Sequence, residues 1–286
     1  MNIVVVYNQH SGSALPLDEL VTKFKANNLT VTGTIPIGDG LRSQLQPHLD
    51  RKDIVVVAYG GDGTINAVAS LLAGTSTVFA PLPGGTLNHF TKDLAIAQDL
   101  DEAINDWQLT QPRQVDIAYV NDRAILNNSS IGLYPVALQM RDDIEKKRIG
   151  KWPAAIIASF RAFVRYRSYT VTIDGETFKT PFIFVGNNDY RLEHQFIGER
   201  VRLDEGVLSV YAITHTGRAR LLWMFLRAIA HKLEDADDIK IWKTQQLTIH
   251  TKRNRVRVSR DGEHEKLRTP LEYKIALKSL TILGGS

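Results

Sequence analysis

The sequence predicts an α/β protein: an N-terminal doubly wound, mostly parallel sheet followed by a C-terminal β-sandwich domain with inserted helices. Three observations predict it. Strand-like and helix-like stretches alternate through residues 1–112, the pattern of a sheet whose strands are joined by helical crossovers. Ile54–Tyr59 is a continuous apolar run rich in β-branched residues, as in strands buried on both faces of a parallel sheet. Beyond residue 112 strand patterns dominate and short Asp-Gly turns separate several of them. The expected domains are therefore 1–112 and 113–286, with the last strand packing back on the first.

In order, Ile3–Tyr7 reads as a strand, Leu17–Ala26 as a helix and Leu29–Ile35 as an alternating strand. Leu41–Leu49 reads as a helix, Ile54–Tyr59 as the buried strand, Ala67–Leu72 as a helix ending at Gly74, and Thr77–Leu82 as a strand. The second part predicts strands at Gln114–Tyr119, Ala124–Ser130, Ser168–Ile173, Phe182–Gly186, Leu208–Ile213, Gln246–Ile249, Arg255–Ser259 and Tyr273–Leu277. Helices are expected over Trp152–Tyr166 and Arg218–Lys232.

Composition narrows the chemistry. With 286 residues the chain can bury a large core without staples. It has no cysteine, which excludes disulfides, thiolate zinc sites and cysteine nucleophiles, and fits a reducing compartment. No apolar run approaches the roughly 20 residues that span a bilayer. The opening Met1–Tyr7 reads as a strand rather than a secretory signal, so a cytoplasmic location is expected. The net charge of +4 is unevenly spread: residues 1–110 sum to −5 and residues 111–286 to +9. A basic second half suits an anionic surface or phosphate groups.

The motif Gly60-Gly61-Asp62-Gly63-Thr64 leaves the buried strand and opens a helix. Glycines let the backbone approach a bulky anion, and a helix start offers free N–H groups and the positive end of its dipole. Thr64 adds a hydroxyl. Asp62 repels phosphate and is better explained as a partner for magnesium or its waters. The motif is neither the lysine-containing P-loop nor the dinucleotide fingerprint. A second loop, Pro83-Gly84-Gly85-Thr86-Leu87-Asn88, follows the next strand, and Asn8-Gln9-His10-Ser11-Gly12 leaves the first strand in the same manner. In a doubly wound sheet these strand ends face one cleft.

The combination of Gly60–Thr64, Pro83–Asn88 and the first loop resembles the diacylglycerol-kinase-type catalytic domain family, which includes bacterial lipid kinases and sphingosine and ceramide kinases. The resemblance implies transfer of the ATP γ-phosphate, with Mg2+, to a hydroxyl of diacylglycerol or a related lipid. By it, Asn8, Thr34, Gly60, Gly61, Asp62, Gly63, Thr64, Asn66, Gly85, Thr86 and Asn88 are expected to bind nucleotide. Asp116 is similar to the aspartate that opens the family's second domain. Together with Asp62 it is expected to serve magnesium. The stretch from Arg202 to Leu208 resembles a magnesium loop whose ligands are the Glu205 carboxylate and the backbone carbonyls of Arg202 and Val207. Asp261 and Glu263 match the family's catalytic "DGE", with Asp261 as the base and Glu263 as its assistant or the alternative base. Asp-Gly alone is also a strong hairpin signal. Two departures stand out: His89 replaces a frequent aspartate, and Glu205 replaces another.

The expected partner is a lipid at a membrane surface, reached by peripheral contact. Lys146, Lys147, Arg148 and Lys151 cluster before Trp152; Arg161, Arg165 and Arg167 follow, and Arg218–Arg227 mixes basic and large apolar residues. Lys252-Arg253-Asn254-Arg255-Val256-Arg257 lacks the interleaved aromatics of a nucleic-acid platform, so no nucleic acid is expected. The alternatives are an NAD kinase-like enzyme, which shares the first glycine loop, and a nucleotide-binding regulatory protein without catalysis.

Overall fold

A computed structural model describes residues 1–9, 11–12, 14–132, 168–173, 175–193, 196–200, 202–214, 217 and 239–285. The helices expected over Trp152–Tyr166 and Arg218–Lys232 lie outside the described residues, as do the basic clusters at 146–151 and 161–167.

The chain forms two compact units. The first comprises Met1–Asn127, Val201–Gly206 and Ile275–Ser286; the second comprises Asn128–Arg200 and Val207–Lys274. In the first unit, β1 (Asn2–Tyr7), β2 (Thr30–Pro36), β3 (Ile54–Gly60) and β4 (Val78–Pro83) lie side by side in the order β2-β1-β3-β4, and all three pairings are parallel. The far half of β18 (Leu271–Ile282) joins parallel to β4, and β5 (Arg113–Val120) pairs with β18 and with β6 (Arg123–Ile125). Every residue of β3 is buried, as its unbroken apolar run predicts.

Helices α1 (Leu17–Ala26) and α3 (Asp62–Leu72) make the crossovers β1 to β2 and β3 to β4. They bury Leu20 and Phe24 from α1, and Ile65, Val68, Ala69 and Leu72 from α3. Phe24 stacks on Trp107 with ring centroids 6.1 Å apart. The helix expected over Leu41–Leu49 is interrupted: α2 spans Leu41–Leu45 and a 3-10 turn covers Gln46–His48, because Pro47 has no N–H for the helical ladder. Helix α3 begins at Asp62 rather than Ala67, which brings the glycine motif into its first turn. Two further helices, α4 (His89–Asp93) and α5 (Leu100–Asp106), were not expected. The start of α5 does carry a signal, since the Asp99 side chain accepts hydrogen bonds from the N–H groups of Asp101 and Glu102.

The single strand expected over Ala124–Ser130 is two strands. β6 stays with β5, while β7 (Asn128–Gly132) belongs to the second unit. The second unit also contains β8 (Tyr169–Ile173), β9 (Glu176–Thr180), β10 (Phe182–Asn187), β11 (Tyr190–Glu193), β12 (Phe196–Arg200), β13 (Leu208–Ile213), β14 (Ile239–Thr244), β15 (Gln246–Thr251), β16 (Arg255–Arg260) and β17 (Glu263–Arg268). Six of these strands make an antiparallel sheet in the order β14-β13-β10-β7-β16-β17. β15 pairs antiparallel with β8 and with the near half of β18, and β8 with β9, giving the sandwich-like antiparallel part of the fold. Phe184 packs edge-on against Tyr190 at 5.2 Å and Tyr211 at 5.9 Å in its core.

Phe24→Ala removes a fully buried ring from the α1 face of the first unit. We expect it to cost about 4 kcal/mol, read as a lowered midpoint in urea denaturation.

Candidate active site

The order β2-β1-β3-β4 fixes where a ligand goes. The chain leaves β1 toward β2 on one side and leaves β3 toward β4 on the other, so the topological switch lies between β1 and β3. Their carboxyl ends are level: Tyr7 pairs with Tyr59, and Gly60 pairs with Pro83 of β4. The loops starting at Asn8, Gly61 and Gly84 therefore leave the sheet at one height.

Hydrogen bonds and close backbone contacts join them. The Asn8 N–H donates to the Tyr59 carbonyl at 3.1 Å, and its Nδ2 donates to Thr64 Oγ1 at 3.3 Å. The Gly84 N–H donates to the Gly60 carbonyl at 3.0 Å, and Asn88 Oδ1 accepts from the Gly85 N–H at 2.9 Å. A Cβ on Gly85 would stand 2.5 Å from Gly61 Cα, so glycine alone permits this approach. A Cβ on Gly63 would meet nothing within 4 Å, because that position faces open space.

Helix α3 starts at this junction without a side-chain cap on its N-terminal N–H groups. Thr64 and Ile65 donate back to Gly61 O at 2.9 and 3.1 Å, closing the first turn. Gly63 and Thr86 are exposed on the rim, and Gly61, Asp62, Gly85 and Asn88 are half-buried. The arrangement is an anion cradle built from backbone, at the positive end of a helix dipole.

The expected nucleotide residues thus divide by task. Gly60, Gly61, Gly85 and Asn88 shape the cradle, Gly63 and Thr86 face outward, and Asn8 and Thr64 hold two loops together. Asn66 lies one turn into α3, where its Oδ1 accepts from Ser70 Oγ at 3.3 Å. Thr34 is exposed on β2, the outer strand, in register with Val5 of β1. The sequence reading missed Tyr59. Its hydroxyl accepts from the Leu15 N–H at 2.9 Å while its carbonyl takes Asn8, so it pins both ends of the first loop.

The acidic residues also divide. Asp62 Oδ1 accepts from the Phe90 N–H at 3.4 Å, tying the first turn of α3 to α4 beside exposed His89. Asp116, expected to serve magnesium, is 2 % exposed, and each of its oxygens takes a backbone donor. Oδ2 accepts from Gly206 N at 2.8 Å and Oδ1 from Lys278 N at 2.7 Å, while its own N–H reaches Leu203 O at 2.7 Å. It anchors the Arg202–Gly206 loop. In that loop Glu205 is exposed and Arg202 grips Asp204 with two hydrogen bonds of 2.9 and 3.0 Å. Val207 begins the next segment of the second unit, and its carbonyl accepts from Asn188 N at 2.9 Å. Among the described residues no three Asp, Glu or His side chains gather into a metal cage.

In the second unit, Asp261 and Gly262 form the two-residue turn between β16 and β17, where Arg260 pairs with Glu263. Their φ angles are +46° and +87°, as a type I′ turn requires. The turn is tied to the start of β7: the Asp261 N–H donates to Asn128 O at 2.9 Å, and Asp261 Oδ1 accepts from Asn128 N at 3.0 Å. Glu263 is exposed on the first position of β17. Asp261 is both a turn residue and a carboxylate held in a fixed place.

Residues 2–120 match the family described as "Diacylglycerol kinase catalytic domain", and residues 130–284 match the "YegS C-terminal NAD kinase beta sandwich-like domain". The chain belongs to the diacylglycerol-kinase-type lipid kinase family that combines these two domains. A Chromohalobacter salexigens protein described as "Probable lipid kinase YegS-like" is 24% identical over 257 residues, spanning 86% of this chain and 81% of the relative. A Bacillus anthracis structure described as a diacylglycerol kinase superposes with a TM-score of 0.69 at 23% identity, over 99% of this chain and 97% of its own. An Archaeoglobus fulgidus NAD kinase solved with ATP shares the fold more distantly, with a TM-score of 0.53 at 12% identity over 100% of this chain and 94% of its own.

Two glycine variants separate structure from binding. Gly85→Ala forces the loops apart and should cost about 2 kcal/mol, seen as a lowered Tm. Gly63→Ala should leave Tm unchanged or slightly raised, while titration calorimetry finds weakened nucleotide binding. Asp116→Ala strands two backbone donors and should cost about 3 kcal/mol in denaturant unfolding.

Proposed function

We propose that this protein transfers the γ-phosphoryl group of ATP to a hydroxyl of a membrane lipid, with diacylglycerol or a close relative as acceptor. The observation that carries the reading is the level alignment of the three loops around the uncapped start of α3. Phosphoryl transfer depends on positioning and charge neutralisation more than on covalent chemistry, and a backbone cradle supplies the first. The N–H groups at the start of α3 and the glycine edges receive the phosphates, and Gly63 leaves room for them.

Magnesium suits the donors present. It keeps several waters and binds through one or two carboxylates plus substrate phosphates, so it needs no all-protein cage. Asp62, at the cradle, would hold it, and Glu205 with the backbone carbonyls of its loop is the second candidate position. When bound, the ion offsets charge on the phosphoryl oxygens. Asp116 acts on this loop by holding its backbone.

Asp261 is assigned as the base. A carboxylate accepts the hydroxyl proton as charge develops in the transition state. Its hydrogen bonds to Asn128 fix the carboxylate. Glu263, exposed beside it, is the assisting acid.

The test is labelled ATP offered with a crude lipid extract, with diacylglycerol alone and with NAD. We expect label in lipid; label in NAD, or in neither, overturns the reading. Asp261→Asn keeps the Oδ1 acceptor and suits positive φ, so folding and ATP affinity should hold while turnover falls about a hundredfold or more.

A further inference from the structure

The β16–β17 hairpin of the second unit carries its charges in an unusual register. Arg255 stands directly opposite Arg268, and Arg257 directly opposite Lys266. All four are exposed. Alternation puts them on one face with Ser259 and His264, while the hairpin's acids, Glu263 and Glu265, fall on the other face. There Glu265 already pairs with Arg260 at 3.2 Å. Like charges directly opposite in an antiparallel pair are destabilising. Arg255, Arg257 and Lys266 form no salt bridge among the described residues. Lys252 and Arg253, also exposed, extend the patch into the preceding turn.

Protection of a sheet edge does not explain the pattern. Lysines on an outer strand commonly serve that purpose, and β17 ends its sheet. Arg255 and Arg257, however, stand on β16, an inner strand whose other side pairs with β7 over Val258–Arg260. An external anion relieves the repulsion. Within the hairpin the ladder face carries no Phe, Trp or Tyr. Phe184 and Tyr211, further along the same sheet face, are buried, and Tyr169 is covered by the Arg253 guanidinium at 5.6 Å, which disfavours stacking of single-stranded nucleic acid. A surface of anionic headgroups meets all the cations at once.

We propose that this cationic ladder is where the protein docks on an anionic lipid bilayer. The proposal rests on the lipid kinase reading for its purpose: the same hairpin carries Asp261 at its turn, about 14 Å along the strand from Arg257 at about 3.4 Å per residue. Docking through the ladder brings a supply of lipid hydroxyls to the hairpin that holds the assigned base.

Co-sedimentation of the full chain tests it, using vesicles of phosphatidylcholine with and without phosphatidylglycerol. The wild type should bind only the anionic vesicles and release them in high salt. The double variant Arg257→Gln with Lys266→Gln should lose about thirtyfold in partitioning, from two cations near the surface. Lys25→Gln with Lys52→Gln removes the same net charge from exposed positions of the first unit and should leave binding unchanged. Unchanged binding by the ladder variant, an equal loss in both variants, or a wild-type preference for an oligonucleotide overturns the proposal. The two readings fail separately. Anionic vesicle binding that is lost in the ladder variant, without labelled lipid product, supports the ladder and removes the kinase reading. Phosphorylation of a short-chain diacylglycerol in solution, without vesicle binding, overturns the ladder and keeps the kinase.

Discussion

The candidate site depends on one contact between two pieces of backbone. Gly61 and Gly85 come so near that a Cβ on Gly85 would stand 2.5 Å from Gly61 Cα. That approach is possible because β3 and β4 run parallel in a register that ends both strands together. Once they do, the start of α3 has the loop from β4 on one side and the loop from β1 on the other. The hydrogen bonds from Asn8 and Gly84 then fix positions the sheet has already imposed. A shift of one residue in the β3–β4 register would separate the glycines and dissolve the cradle, although every strand would still be present.

Much of this was legible in the sequence, because parallel α/β folds write their order plainly. The buried run of β3 identified the sheet, and the glycines after β3 and β4 pointed to the end where the three loops gather. The limits of the helices were harder to read. Pro47 broke one helix, and α3 started five residues earlier than its apolar spacing suggested, because glycines disguised its first turn. The passage from β6 to β7 was hidden because no Gly or Pro separates Ile125 from Asn128 while the pairing partners change. Tyr59 and Asn128 were missed for a related reason. Asn128 works through its backbone N–H and carbonyl, and Tyr59 half through its carbonyl, and backbone groups leave no mark on residue type.

Asp116 shows the same limit from the other side. A carboxylate near a phosphate-handling motif invites a metal, and sequence alone cannot count the N–H groups around it. The first unit is assembled from three separate stretches of chain, and Asp116 bonds to backbone from the other two, at Leu203, Gly206 and Lys278. One buried side chain thereby does what an uninterrupted chain would otherwise do, keeping a loop and a returning strand in place after a long excursion. The loop it holds is the one with exposed Glu205, so Asp116 adds an anchor from outside to the loop's own Arg202–Asp204 pair.

The turn at Asp261 has a consequence for how such a protein changes over generations. Its backbone sits where most side chains are strained and where glycine, asparagine and aspartate are at ease. Under its proposed role as base, variation at this position is filtered twice, once by conformation and once by chemistry. A descendant that abandoned the reaction would keep the hairpin by drifting to asparagine or glycine, and would seldom show alanine. Loss of activity in this lineage would thus leave a particular signature: an intact β16–β17 hairpin with a neutral turn, in a molecule whose fold gives no other sign that its work has ended.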